Sequence, residues 1–196
     1  MRVNTFEIIL ASSSPRRHEL LSGLGYNFKV VVPSVEEKPL AGENPVDHVL
    51  RLSLEKARLV AIKHPDALVV GADTVVVLGD KILGKPSSLD EATAMLRLLS
   101  GKEHMVYTGL SMVLRADNVE ISEYDSTKVT FNELDYQDLD RYIASGESMD
   151  KAGAYGIQGM GSFLVKRYEG EFDTVIGFPT KLFTRMLGEV ISCRNR

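Results

Sequence analysis

The chain reads as an α/β protein, a mixed β-sheet flanked by helices. Three features predict this. Strand-like and helix-like patterns alternate from end to end. Two helix starts carry a capping residue followed by proline, at Ser14-Pro15 and Asn44-Pro45, and one apolar run, Leu68 to Leu78, is long enough for a strand buried on both faces. The 196 residues suit one domain, 1–196, expected as two lobes around a single cleft.

The first apolar run, Phe6 to Ala11, predicts a strand that stops at Ser12-Ser13-Ser14-Pro15. Ser14 as N-cap and Pro15 at the first helical position start a helix that runs to about Leu24, and Gly25 ends it where a left-handed residue is cheapest. Tyr26, Phe28, Val30 and Val32 alternate as a strand, and the polar, proline-containing stretch 33–43 follows as a loop. After Asn44-Pro45, the spacing of Val46, Val49, Leu50, Ser53, Ala57, Val60 and Ala61 predicts an amphipathic helix. The strand Leu68 to Leu78 turns at Gly79-Asp80 into Ile82-Leu83, a hairpin.

Leu89 to Leu99 is read as a helix closed by Ser100-Gly101. Two long strands, about 104–114 and 119–131, join at Ala116-Asp117-Asn118. A helix over 134–144 ends at Gly146, and residues 153–161 hold four glycines in a turn-rich connection. A last strand, 163–168, and a last helix, from Pro179 to about Ile191, complete the chain.

Composition removes several function classes. Lys+Arg total 23 against 27 Asp+Glu, a net charge of −4, which disfavours nucleic-acid binding through a broad basic face. No apolar run approaches the ~20 residues of a membrane span, and the N-terminus makes a poor secretory signal. The single cysteine, Cys193, closes no intramolecular disulfide, so a reducing cytoplasm is the expected location. A small anionic ligand gripped by a few local cations remains open.

Several residues could carry chemistry. Ser12, Ser14, Arg16 and Arg17 lie where a strand passes into a helix, and a helix N-terminus offers unpaired N–H groups and partial positive charge. Two arginines in that first turn are either a surface pair or the grip for a phosphate. The Gly-Lys-Ser/Thr of a P-loop is missing. Asp73 interrupts the most apolar strand, where a carboxylate is costly unless paired, hydrogen-bonded or metal-bound. It is either a turn residue or a catalytic or metal-binding group.

Glu36 and Glu37 are solvated loop acids, or part of a Mg²⁺ site if the fold brings them to Asp73. Lys56, on the apolar stripe of its helix, and Lys85, between Gly84 and Pro86, are surface lysines or phosphate ligands. The four histidines lack ligand spacing and read as structural, and no Gly-x-Ser-x-Gly elbow is present. Gln158 offers a donor and an acceptor on one amide, which either satisfies its own loop or matches the imide edge of uracil or thymine.

Taken together, the motifs resemble the Maf family of nucleoside-triphosphate pyrophosphatases. They are Leu10-Ala11-Ser12-x-Ser14-Pro15-Arg16-Arg17, Glu36-Glu37, Arg51-Leu52 with Glu55-Lys56-Ala57, Gly71-Ala72-Asp73-Thr74, Lys85-Pro86, and Asp150 through Gly159. The last is similar to the dTTP/UTP branch rather than the 7-methyl-GTP branch. The resemblance implies an inosine-triphosphate-pyrophosphatase-like fold, an elongated sheet with a nucleotide cleft between lobes. It also implies hydrolysis of dTTP, UTP and modified pyrimidine nucleotides to the monophosphate and pyrophosphate, with a divalent cation, Mg²⁺ or Mn²⁺.

By position, Asp73 would accept the proton, Arg16, Thr74 and Gln158 would set specificity, and Ser12, Ser14, Arg17, Lys56 and Lys85 would hold the substrate. Glu37 and Asp73 would hold the metal. Ser13 stands where relatives often carry glycine. Relatives are commonly homodimers. Inosine/xanthosine or 7-methyl-GTP hydrolysis, and a nucleotide-binding role in cell division, are the alternatives.

Overall fold

The computed structural model describes residues 6–194. Its strands are β1 (Ile8–Ala11), β2 (Phe28–Val30), β3 (Leu68–Leu78), β4 (Lys81–Leu83), β5 (Glu103–Leu114), β6 (Val119–Phe131) and β7 (Val165–Glu169). Its α-helices are α1 (Pro15–Gly23), α2 (Pro45–Ala61), α3 (Leu89–Leu99), α4 (Tyr136–Ala144), α5 (Phe172–Ile176) and α6 (Thr180–Arg194). The seven strands form one mixed sheet of order β2-β1-β3-β5-β6-β7, with β4 paired to β3. β1 lies parallel to both β2 and β3, whereas β4 and β7 pair antiparallel with β3 and β6.

Most predicted elements stand where the pattern put them, and the differences have local causes. β2 stops at Val30, although Val31 N still donates to Leu10 O at 3.1 Å; Pro33 follows closely and has no N–H for a ladder. α4 begins at Tyr136, not Leu134, because Asp135 caps it and Asp138 reaches back to the Asp135 N–H in a capping box. The last strand starts at Val165 because a 3₁₀ turn takes Gly159–Leu164. The hairpin forms with Leu78 opposite Lys81 and a left-handed Gly79.

Two compact units arise from this path. Within the described residues, 6–73, 108–125 and 177–194 form one, and 74–107 and 126–176 form the other. In the first, the period-two alternation of β1 and β3 serves two cores. Ile8, Leu10, Leu68, Val70 and Ala72 pack with Leu21 of α1 and Phe183, Met186, Leu187 and Val190 of α6. Ile9, Ala11 and Val69 face the other way, onto Ala57, Val60 and Ala61 of α2. A strand whose two faces are both covered has no polar side, which is why its sequence is continuously apolar.

Glycine sets how closely α2 can approach. A Cβ on Gly71 of β3 would lie 2.9 Å from Ala57 N and closer still to Ser53 O, and one on Gly109 of β5 would lie 3.1 Å from Leu50 N. The helix backbone therefore rests almost directly on two strands.

The second unit packs Val76, Leu83, Val106, Val129 and Phe131 against Ala92, Met95, Leu96 and Leu99 of α3 and Leu139 and Tyr142 of α4. His104 is buried at 3% exposure there, edge-on to Phe131, with Nε2 2.7 Å from the Tyr155 hydroxyl. Burial pushes its pKa from 6.5 down to about 4. The unfolded chain therefore binds a proton below pH 6.5 that the native state refuses until about pH 4, and stability falls as pH drops through that window. The expected loss is ~3 kcal/mol by pH 4. In urea unfolding at stepped pH, His104→Gln should flatten that slope; an identical pH profile in the variant would refute the assignment. Among the described residues, no helix is long and apolar enough to cross a membrane.

Candidate active site

β1 delivers the chain to Ser12, and the turn there is held by its own side chains. Ser12 Oγ accepts from Ser14 N at 3.1 Å and from Arg17 Nη1 at 3.3 Å, while Ser14 Oγ caps α1 by accepting from Arg17 N. Arg17 does more than offer charge to solvent. Nε donates to Gly177 O at 2.8 Å and Nη1 to Ala72 O at 2.9 Å, so the guanidinium grips the backbone immediately before Asp73.

Lys56 falls on the buried stripe of α2, with Val49, Leu52, Ser53, Ala57 and Val60. At 6% exposure it is not the surface lysine that its charge alone allows. Its Nζ lies 2.6 Å from Asp73 Oδ1 and 2.6 Å from Glu37 Oε1. The structure thus brings Glu37 to Asp73 through one ammonium. Glu36 turns outward, pairing with Lys38 at 2.7 Å with both side chains mostly in water. Of the two adjacent acids, Glu37 is the one that meets Lys56.

Withdrawal from water lowers the Arg17 pKa; Asp73 and then Glu37 oppose that shift, and Arg16 adds to it. These charged groups therefore act on one another. Lys56 pairs with both carboxylates, and Arg17 holds the backbone directly before one of them, so cationic and anionic groups alternate at this point of the fold. The donor set also fits a hard divalent cation. Asp73 and Glu37 bring two carboxylates to the Lys56 ammonium, and carboxylate oxygen is the donor type that a hard cation such as Mg²⁺ or Mn²⁺ takes. Among the described residues no group of three or more His, Cys, Asp or Glu is placed to hold a metal ion.

Thr74, Lys85 and Gln158 lie in the second unit. Thr74 is half-buried, and Lys85 and Gln158 are exposed. There the Lys85 turn meets the glycine-rich motif, since Gly153 N donates to Gly84 O at 3.0 Å. The motif is held at Gly156, whose N–H donates to the Tyr142 hydroxyl at 3.1 Å, and at Met160, whose N–H donates to Glu147 Oε1 at 3.3 Å. Gln158 stands just before the 3₁₀ turn.

Two features escape sequence reasoning. One is the pair of backbone carbonyls, at Ala72 and Gly177, that fix Arg17. The other is a cluster of Glu43, His48 and Arg51 beside the Glu37 loop, in which Glu43 Oε2 lies 2.8 Å from His48 Nδ1 and Glu43 Oε1 2.6 Å from Arg51 Nε. The Arg51-Leu52 motif was the one available signal for it.

A family model described as Maf-like protein matches residues 7–190. A "dTTP/UTP pyrophosphatase" of Bacillus cereus is 48% identical over 184 residues, covering 94% of this chain and 90% of that protein. One of Bacillus anthracis is 48% identical over 181 residues, covering 92% and 94%. The solved structure of protein VC0702 from Vibrio cholerae overlaps 70% of this chain and 68% of that one at 13% identity with a TM-score of 0.33, too slight a likeness to argue from.

Proposed function

Because the chain belongs to the Maf-like family, we propose that it hydrolyses dTTP and UTP, releasing the nucleoside monophosphate and pyrophosphate. Modified pyrimidine nucleotides fall within the same reading. The observation that carries it is the buried Lys56 ammonium bridging Glu37 and Asp73 next to Arg17. That arrangement suits phosphoryl transfer, in which catalysis is chiefly positioning and charge neutralisation.

The Asp73 carboxylate orients a water and takes its proton as the water oxygen bonds to phosphorus. The bridging oxygen leaves with the electron pair of the broken bond, on pyrophosphate. Lys56 keeps the Asp73 carboxylate aimed, and Arg17 holds the backbone that carries it. Arg16, Ser12 and Ser14 receive phosphate oxygens at the start of α1. A divalent cation held by Glu37 and Asp73 would neutralise charge on the phosphates and on the leaving group. Lys85 and Gln158 take their roles from the family motif, as a phosphate ligand and a base reader, and Thr74 joins Arg16 and Gln158 in specificity. A cytoplasmic location and pairing of two copies belong to the same proposal.

The test is a nucleotide panel with Mg²⁺ or Mn²⁺ and product identification. UMP and dTMP with pyrophosphate are expected. Orthophosphate release, a preference for inosine, xanthosine or 7-methyl-guanosine triphosphates, or binding without turnover would each overturn the proposal. Gln158→Glu should lower kcat/KM for UTP about 10-fold or more, because a carboxylate cannot donate to the O4 carbonyl and repels it. Unchanged selectivity across the panel would remove Gln158 from base reading.

A further inference from the structure

Glu37 sits in a stretch, residues 31–43, with neither helix nor strand, yet its carboxylate meets a buried ammonium at 2.6 Å. A loop side chain reaches a fixed point reliably only when its backbone is tied down. The tie lies at Arg51. Its Nε and Nη2 donate to the Glu43 carboxylate at 2.6 and 2.8 Å, a two-point grip that suits the planar fork of arginine. Nη2 also donates at 3.1 Å to the carbonyl of Lys38, the residue directly after Glu37, and Nη1 reaches Glu55 at 3.3 Å.

The Glu43 side chain is 7% exposed and closes its own end of the loop, accepting from Leu40 N at 3.0 Å beside His48 Nδ1 at 2.8 Å. The Arg51 hydrogen bonds, helped by Leu40 N and His48, hold the Glu43 pKa down at about 2 against the opposing effect of burial. The grip is thus fully charged at any pH near neutrality. Arg51 and Lys56 share α2, so one rigid element supplies both the anchor of the loop and the partner of its carboxylate.

We propose that Arg51 is a positioning residue: through the Glu43 carboxylate and the Lys38 carbonyl it fixes the 31–43 loop so that Glu37 is presented at Lys56 and Asp73. Its part in turnover rests on the reaction proposed above; its grip on the loop does not.

The experiment is a double-mutant cycle joined to amide hydrogen exchange on the full chain. Arg51→Lys retains a charge opposite Glu43 but cannot span the carboxylate and the carbonyl together, so the fold should survive. With UTP and Mg²⁺ it should lower kcat/KM about 10-fold in the wild-type background and less than about twofold in Glu37→Gln, where the group it positions is already lost. Exchange should quicken in segment 34–43 and stay unchanged in α3 and α4. Equal losses with and without the Glu37 carboxylate, or unaltered exchange in 34–43, would overturn the proposal. A wild-type protein that turns over no nucleotide would sink the reaction instead, while the exchange measurement still decides the grip.

Discussion

Replacing Asp73 by asparagine is expected to leave a folded protein that turns over UTP about 10³-fold more slowly, within the range that loss of a positioned general base produces. The amide keeps the shape of the side chain and turns a carbonyl oxygen toward Lys56, but it takes no proton and binds a cation weakly. Folding should survive because Lys56 retains a second carboxylate, Glu37, at 2.6 Å, so its buried charge is not left unpaired. The exchanged hydrogen bond should cost about 2 kcal/mol. Steady-state kinetics beside a thermal melt separate the two effects. Near-normal turnover in a folded Asp73→Asn protein would remove Asp73 from the chemistry.

Gly71→Ala should do its damage through packing. The added methyl would fall among Ser53 O, Ala57 N and Ala57 Cβ, all within one turn of Lys56. Backbone on a sheet-packed helix yields only by moving the helix, which places the cost at about 3 kcal/mol, the upper part of the usual overpacking range. For a chain of 196 residues that lowers Tm by roughly 6–12 °C. A shift of α2 by an ångström also displaces Lys56 from its two carboxylates, and misplacement on that scale costs about 10²-fold in rate.

Gly188→Ala is the matched control. It lies in α6 with nothing within 4 Å of the new Cβ, and should stabilise the helix by roughly 0.5–1 kcal/mol. Calorimetry on both variants checks the contrast, and a Gly71→Ala melt equal to wild type would mean that α2 accommodates the methyl freely.

Regular elements were legible wherever local pattern and tertiary packing agree. β3 and α3 occupy the spans their apolar spacing predicts, and Ser14 and Asn44 cap the helices they introduce. Asp73 was legible for the opposite reason, as a charge in a run that admits none. Lys56 was ambiguous because its charge argues for solvent while its place on the stripe argues for the core; the carboxylates that resolve the conflict lie 17 and 19 residues away in the chain. Nothing local distinguishes Glu37 from Glu36. They differ in tertiary contacts, Glu37 meeting Lys56 and Glu36 pairing with Lys38, and the loop that carries both is tied to α2 by Arg51 and Glu43, an ion pair with no periodic signature. The five-residue α5 is too short to leave a pattern.

Arg17 has a further consequence, which lies in biosynthesis. Its guanidinium is complete only when it holds both the Ala72 and Gly177 carbonyls, 55 and 160 positions further along the chain. At a ribosomal pace of about 5–20 residues per second, roughly 10–30 s pass between the making of the arginine and the arrival of its last acceptor. The nascent chain therefore carries the turn that begins α1 without one of its two backbone acceptors until Gly177 has been added, so this turn cannot reach its native form while the segment between is being made.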